Sequence, residues 1–301
     1  MKRTITILAL TAICCSALGQ SVSRSDGTIE SKILKQTTHY SIYLPDGYES
    51  SNIEYPVLYL LHGGGDNWKD WLLKGQAASI ADRTIASGES VPMVIVMPDG
   101  IQNWYANKYD GSFNYEDYFF EEFIPFIEKN YRVRTERQYR AISGLSMGGY
   151  GSLLYAIKHP DKFTACYGMS IGMFGKWRLE NSFKQNDGGW YAQSYFGPMD
   201  KNGNLPQAWL DNDIYTLLEK MPDMQKRMVN FCIECGDDEL NRDQSEVFLL
   251  MKDVGVPCEI RIADGAHNWT FWRKCLPHAM KWASECFIQE RMVPMGATTR
   301  R

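Results

Sequence analysis

The stretch "AISGLSMGGYG" (residues 141–151) sets Ser146 among four glycines at the junction of two apolar runs. Glycine weakens a strand or a helix, so its use here signals a sharp turn or a close backbone approach. Upstream, "QYRAISG" (138–144) reads as a strand. Downstream, "SMGGYGSLLYAIKHP" (146–160) has helical spacing. Gly144-Leu145-Ser146-Met147-Gly148 is thus a G-x-S-x-G motif between strand and helix, the context in which it forms a nucleophile elbow. In such an elbow the serine backbone is strained, and the two glycines clear the neighbouring strands. The hydroxyl projects from the C-terminal edge of a sheet at a helix N-terminus, where partial positive charge favours a developing anion. An incidental serine in a glycine-rich turn is the plainer alternative, and the strand–helix setting favours the elbow.

The rest of the chain supplies the matching scaffold. "YPVLYLLH" (55–62) and "PMVIVMP" (92–98) read as buried strands, and "FTACYGMS" (163–170), "VNFCIEC" (229–235) and "CEIRIAD" (258–264) follow as further strands, alternating with helical patterns. Continuous apolar strands separated by helices predict a mostly parallel sheet with helices on both faces. With the elbow, this is an α/β-hydrolase fold. "ESKILKQTTHYSIYLP" (30–45) alternates polar and apolar residues and predicts antiparallel edge strands. Residues 171 to about 212, rich in Gly, Asn and aromatics, break the rhythm and read as a lid insertion over one end of the sheet.

A serine hydroxyl needs a base. His39 lies in an edge strand, His62 in "LHGGG", His159 at a helix end and His278 within a helix. His267 differs: it sits in "DGAHNWTFW" (264–272), after the last strand and before the final helix. That is the base position in the order serine, acid, histidine. The acid must lie between Ser146 and His267 at a strand end. "CIECGDDEL" (232–240) offers Asp237, Asp238 and Glu239. Asp238 is preferred, with Asp237 and Glu239 left open. "LLHGGGDNW" (60–68) places glycines where a backbone N–H approaches a substrate oxygen. The Met147 N–H and Gly64 are the expected oxyanion donors. Trp104, in "IQNWYANKYDGSFNYEDY" (101–118), and Trp269, two residues beyond His267, are candidate substrate contacts. Aromatics there suit planar or sugar-like ligands, or simply pack the lid against the body.

The chain has 301 residues, 44% hydrophobic and 23% charged, with net charge −4 and no basic block, which argues against a nucleic-acid partner. Lys2 and Arg3 precede the apolar run "TITILALTAICCSALG" (4–19). This reads as a signal peptide cleaved after Gly19, so the protein is exported, to the periplasm or beyond. The run is short for the ~20 apolar residues of a membrane span. Cys14 and Cys15 suggest a lipoprotein signal, but bulky Ile13 disfavours it. Residues 20–290 then form the hydrolase domain, and 291–301 a flexible tail. Six cysteines remain beyond the leader, mostly in predicted strands or helices. Cys232 and Cys235 fall on opposite faces of one strand, which suits buried free thiols better than a redox or metal motif. No metal or cofactor is expected, and the oligomeric state is open.

Taken together, "LLHGGGDNWKDW", "VIVMPDG", "YFFEEFIPFIEKNYRV", "RAISGLSMGGYGSL", "HPDKFTACYGMS", "ECGDDEL" and "GAHNWTFWR" resemble the esterase D-type serine hydrolases. These include feruloyl and acetyl-xylan esterases of carbohydrate esterase family 1, tributyrin esterases and S-formylglutathione hydrolases. The resemblance covers most of residues 31–288. It implies cofactor-free hydrolysis of a carboxylic ester, with Ser146 as nucleophile, His267 as base and the acid within "CGDDEL". Relatives often carry one more residue between that glycine and the acid. Combined with the export signal, the resemblance points to acyl groups, feruloyl or acetyl, on plant polysaccharide or oligosaccharide. Short-chain esterase, acyltransferase and silent carbohydrate-binding roles are the alternatives on the same scaffold.

Overall fold

A computed structural model describes residues 20–101, 103–172, 189–239 and 241–288. The leader, residues 173–188 of the insertion with the aromatic Trp177 among them, and the tail lie outside the described residues. Eight strands form one sheet in the order β1-β2-β4-β3-β5-β6-β7-β8. β1 (Val22–Ser31) and β2 (Gln36–Leu44) pair antiparallel at one edge. The strand β1 starts well before the alternating stretch 30–45, in the polar segment "VSRSDGTIES". From β4 (Val94–Pro98) through β3 (Val57–Leu61), β5 (Arg140–Leu145), β6 (Ala165–Met169), β7 (Asn230–Gly236) and β8 (Cys258–Ala263), all pairs are parallel.

The continuous apolar strands have the physical origin expected of them. Alternate residues of β3 enter opposite cores. Val57, Tyr59 and Leu61 pack with Phe119, Phe123, Leu153 and Leu154. Leu58 and Leu60 pack with Ile80, Ala81, Leu276 and Met280 on the other face. Both faces are covered, so neither tolerates a polar alternation. The last helix, Trp269–Phe287, buries Trp272, Cys275, Leu276, Ala279, Met280, Ala283 and Cys286, a stripe at helical spacing. Ser146, Glu239 and His267 follow the C-terminal ends of β5, β7 and β8, all at one edge of the sheet.

Cys166, Cys232, Cys235, Cys258, Cys275 and Cys286 are buried and free. Burial pushes the Cys232 and Cys235 thiols up to about 12, so neither is a reactive thiolate at neutral pH. Among the described residues, no helix is long and apolar enough to cross a membrane. No group of three or more His, Cys, Asp or Glu among them is placed to hold a metal ion.

Candidate active site

Ser146 joins β5 to the helix Met147–Lys158 with φ 53° and ψ −119°, a conformation that side-chain-bearing residues rarely adopt. The strain is held by backbone bonds on both sides. Ser146 N–H donates to Met169 O (2.9 Å), and Ser146 O accepts from Gly172 N–H (2.8 Å) and Tyr150 N–H (3.0 Å). The motif glycines make the turn possible. A β carbon on Gly148 would lie 2.6 Å from His62 O and from Leu61 O, and one on Gly144 would overlap Gly148 O. Residues 141–145 and 147–150 are buried, whereas Ser146 is partly open.

His267 lies in the loop between β8 and the final helix. That helix is capped by the Asn268 side chain, which accepts from Phe271 N–H. The His267 Nε2 is 2.9 Å from Ser146 Oγ, and its Nδ1 is 2.6 Å from Glu239 Oε2. A carboxylate accepts, so Nδ1 carries the ring proton and Nε2 accepts from the serine hydroxyl. The other histidines are engaged elsewhere. His39 stacks on Trp68, and His62 is buried in the β3 loop. His159 pairs with Glu116 (2.7 Å), and His278 with Glu234 (3.0 Å).

The acid expected at Asp238 is corrected: the carboxylate against His267 is that of Glu239. The β7–β8 pairing continues past the strand ends, through Asp237 N–H to Ala263 O and Asp238 N–H to Gly265 O, both 3.0 Å. This extension leaves both aspartates exposed. The Asp237 carboxylate accepts from Gly265 N–H (3.1 Å) and so ties the two loops together. Only then does the chain turn inward, and Glu239, with its side chain 2% exposed, reaches the imidazole. Its second oxygen, Oε1, accepts from Gly236 N–H (2.7 Å) and from Ser170 Oγ–H (2.6 Å).

The glycine loop after β3 faces the elbow. A β carbon on Gly63 would sit 3.2 Å from Ser146 Cβ, whereas Gly64 is exposed and has open space where its β carbon would be. The Met147 N–H belongs to the first helical turn, where backbone donors have no intrahelical acceptor. His62 fixes the glycine loop. Gly100 N–H donates to His62 Nε2 (2.7 Å), so Nδ1 carries the proton and donates to Gly63 O (2.9 Å). Tyr105 Oη–H donates to His62 O (2.9 Å). Trp104 stands edge-on to Tyr150 of the elbow helix, at 5.7 Å between centroids. Trp269 stands edge-on to Trp71 and Trp272, at 5.2 and 5.3 Å. Tyr195, Phe196 and Trp209 of the insertion are buried in the core, so these aromatics pack the insertion against the body. Tyr195 Oη–H also donates to Ala106 O (2.9 Å).

Sequence reasoning passed over Ser170 and Trp272, which stand behind Glu239. Ser170 closes the strand stretch "FTACYGMS" with nothing in the sequence to mark a role for its hydroxyl. Trp272 is visible only as part of an aromatic run beyond His267.

Comparison with known proteins places the chain. The family model described as Esterase matches residues 31–283. An endo-1,4-beta-xylanase/feruloyl esterase of Xylanibacter ruminicola is 30% identical over 78% of this chain. The chain spans only 28% of that protein's length. An acetyl esterase of Caldicellulosiruptor saccharolyticus is 25% identical over 85% of this chain and 96% of its own. Among solved structures, a ferulic acid esterase is 33% identical with TM-score 0.74, covering 89% of this chain and 99% of that one.

Proposed function

The chain belongs to the Esterase family, and on that premise we propose that it is exported and removes feruloyl or acetyl groups from plant polysaccharide or oligosaccharide through Ser146, His267 and Glu239. The fold is that of an α/β-hydrolase and the activity class is serine carboxylic ester hydrolysis. The observation that carries the triad is the pair of hydrogen bonds on His267, one to Ser146 Oγ and one to Glu239.

In this reading Ser146 Oγ attacks the acyl carbonyl as its proton passes to His267 Nε2. Glu239 fixes the tautomer and stabilises the imidazolium. The carbonyl oxygen, now negative, lies against the Met147 N–H and an N–H of the glycine loop, with Gly64 the proposed second donor. Removing one such donor typically costs about 3 kcal/mol in transition-state stabilisation. The tetrahedral intermediate collapses, His267 returns the proton to the departing alcohol, and an ester on Ser146 remains. Water then adds to that ester with His267 again as base, releasing the acid and restoring the serine.

The substrate class is supported by the feruloyl and acetyl esterases among the relatives and by the leader-like start of the chain. Trp104 and Trp269 are the proposed contacts for the acyl or sugar rings. Turnover on feruloylated or acetylated xylo-oligosaccharides, compared with tributyrin at matched concentration, tests the substrate. Acid released from the oligosaccharides is expected. A preference for tributyrin with no such release would reject the polysaccharide reading and leave a general short-chain esterase. Mature protein recovered outside the cytoplasm should begin at Gln20.

A further inference from the structure

We propose that Ser170 is a positioning residue that holds the Glu239 carboxylate against His267, with Trp272 orienting its hydroxyl. This rests on the reading of Glu239 as the triad acid. A glutamate has one more side-chain torsion than an aspartate, so its carboxylate needs more to hold it. Here Oε1 is held by two donors, Gly236 N–H at 2.7 Å and Ser170 Oγ–H at 2.6 Å. That leaves Oε2 directed at His267 Nδ1, 2.6 Å away. Ser170 Oγ in turn accepts from Trp272 Nε1–H at 3.0 Å, which fixes the direction in which its own proton points. Ser170 is fully buried, so bulk water does not substitute for its hydroxyl. Trp272 reaches the other arm as well: its ring stands edge-on to the His267 imidazole, with centroids 5.0 Å apart.

The backbone supports a role for that hydroxyl. Ser170 follows β6 with φ 44°, in the left-handed region where glycine sits without strain and serine does not. Glycine would serve the turn better, and the one thing it would not supply is the hydroxyl. Ser146 is strained in the same sense, and it is the reacting residue of the proposed mechanism. The Ser170 N–H donates to Glu234 O at 2.7 Å, which extends the β6–β7 ladder and locks the serine to the strand that leads into Glu239.

The test is a double-mutant cycle with Ser170→Gly and Glu239→Gln on nitrophenyl acetate. Glycine suits the φ at 170, so Ser170→Gly keeps the fold, checked by a cooperative melt within a few degrees of the parent. The expected result is kcat lower by about 10- to 100-fold with KM nearly unchanged, the scale of loss when a catalytic group is misplaced by about 1 Å. In the Glu239→Gln background, Ser170→Gly should cost nothing further, because it acts only through that carboxylate. A Ser170→Gly enzyme with kcat within about twofold of the parent, or one whose loss multiplies fully with that of Glu239→Gln, would overturn the inference. Parental activity in Glu239→Gln alone would instead overturn the acid assignment on which it stands.

Discussion

Replacing Glu239 by glutamine preserves its size and exchanges one acceptor oxygen for an NH2 donor. The site dictates which way that amide faces. Gly236 N–H and Ser170 Oγ–H both point at the Oε1 position, so the amide oxygen must go there. The NH2 group then faces His267 Nδ1, which must become an acceptor. The ring proton moves to Nε2, where it points at Ser146 Oγ, 2.9 Å away. An imidazole in that tautomer cannot take the serine proton. A wrong tautomer in the chymotrypsin-type triad costs about 10⁴ in kcat. Allowing for some recovery by ring rotation, we expect a fall of about 10³- to 10⁴-fold, or roughly 4–5.5 kcal/mol at 1.36 kcal/mol per decade. Asp238→Asn should stay within about twofold of the parent, since Asp238 is exposed and its backbone N–H, not its carboxylate, makes the bond to Gly265 O. Steady-state hydrolysis of nitrophenyl acetate measures both, with circular-dichroism melts to show that each variant is folded. A thousandfold loss in Asp238→Asn with near-parental Glu239→Gln would refute the reasoning.

Three further outcomes follow from the geometry. Ser146→Gly should abolish turnover yet raise the melting temperature by roughly 2–4 °C, because about 1 kcal/mol of backbone strain at φ 53° is relieved; a lower melting temperature would contradict this. Gly148→Ala should destabilise by roughly 1–3 kcal/mol, since the new β carbon meets the backbone oxygens of His62 and Leu61 at 2.6 Å and neither can move aside alone; a parental denaturation midpoint would count against the elbow packing. Burial pushes the Glu116 carboxyl up, but hydrogen bonds from His159 and Lys158 outweigh it and hold the group below the usual carboxylate range. Its stabilisation is therefore present above the unfolded value of about 4.3 and is lost as pH falls through the lower folded value. Urea midpoints should decline below about pH 4.3 more steeply in the parent than in Glu116→Gln, and parallel curves would argue against that ion pair.

The elements that read clearly from the sequence are those set by local physics. The strands β3 to β7 are apolar runs because both faces are covered, and the elbow is marked by glycines that no other residue replaces. The start of β1 was hidden because an edge strand such as "VSRSDGTIES" can be almost wholly polar. The acid went to Asp238 because three carboxylates stand in a row, and what chooses among them is long-range. The β7–β8 pairing runs two residues past the strands and carries both aspartates to solvent before the chain turns. The role of Ser170, at the end of "FTACYGMS", is not legible in the sequence, since a left-handed serine after a strand is a property of φ and of partners 69 and 102 residues away. The aromatics of the insertion were ambiguous between ligand and packing roles, and burial decides for packing at Tyr195, Phe196 and Trp209.

Trapping the acyl-enzyme tests the central claim most directly. Enzyme mixed with excess nitrophenyl acetate, quenched in acid during turnover and mapped by peptide mass spectrometry, should carry one acetyl group on Ser146. Ser146→Ala should show neither the adduct nor turnover. An acetyl group on another residue that forms and decays at the rate of turnover, or undiminished hydrolysis by Ser146→Ala, would contradict the account.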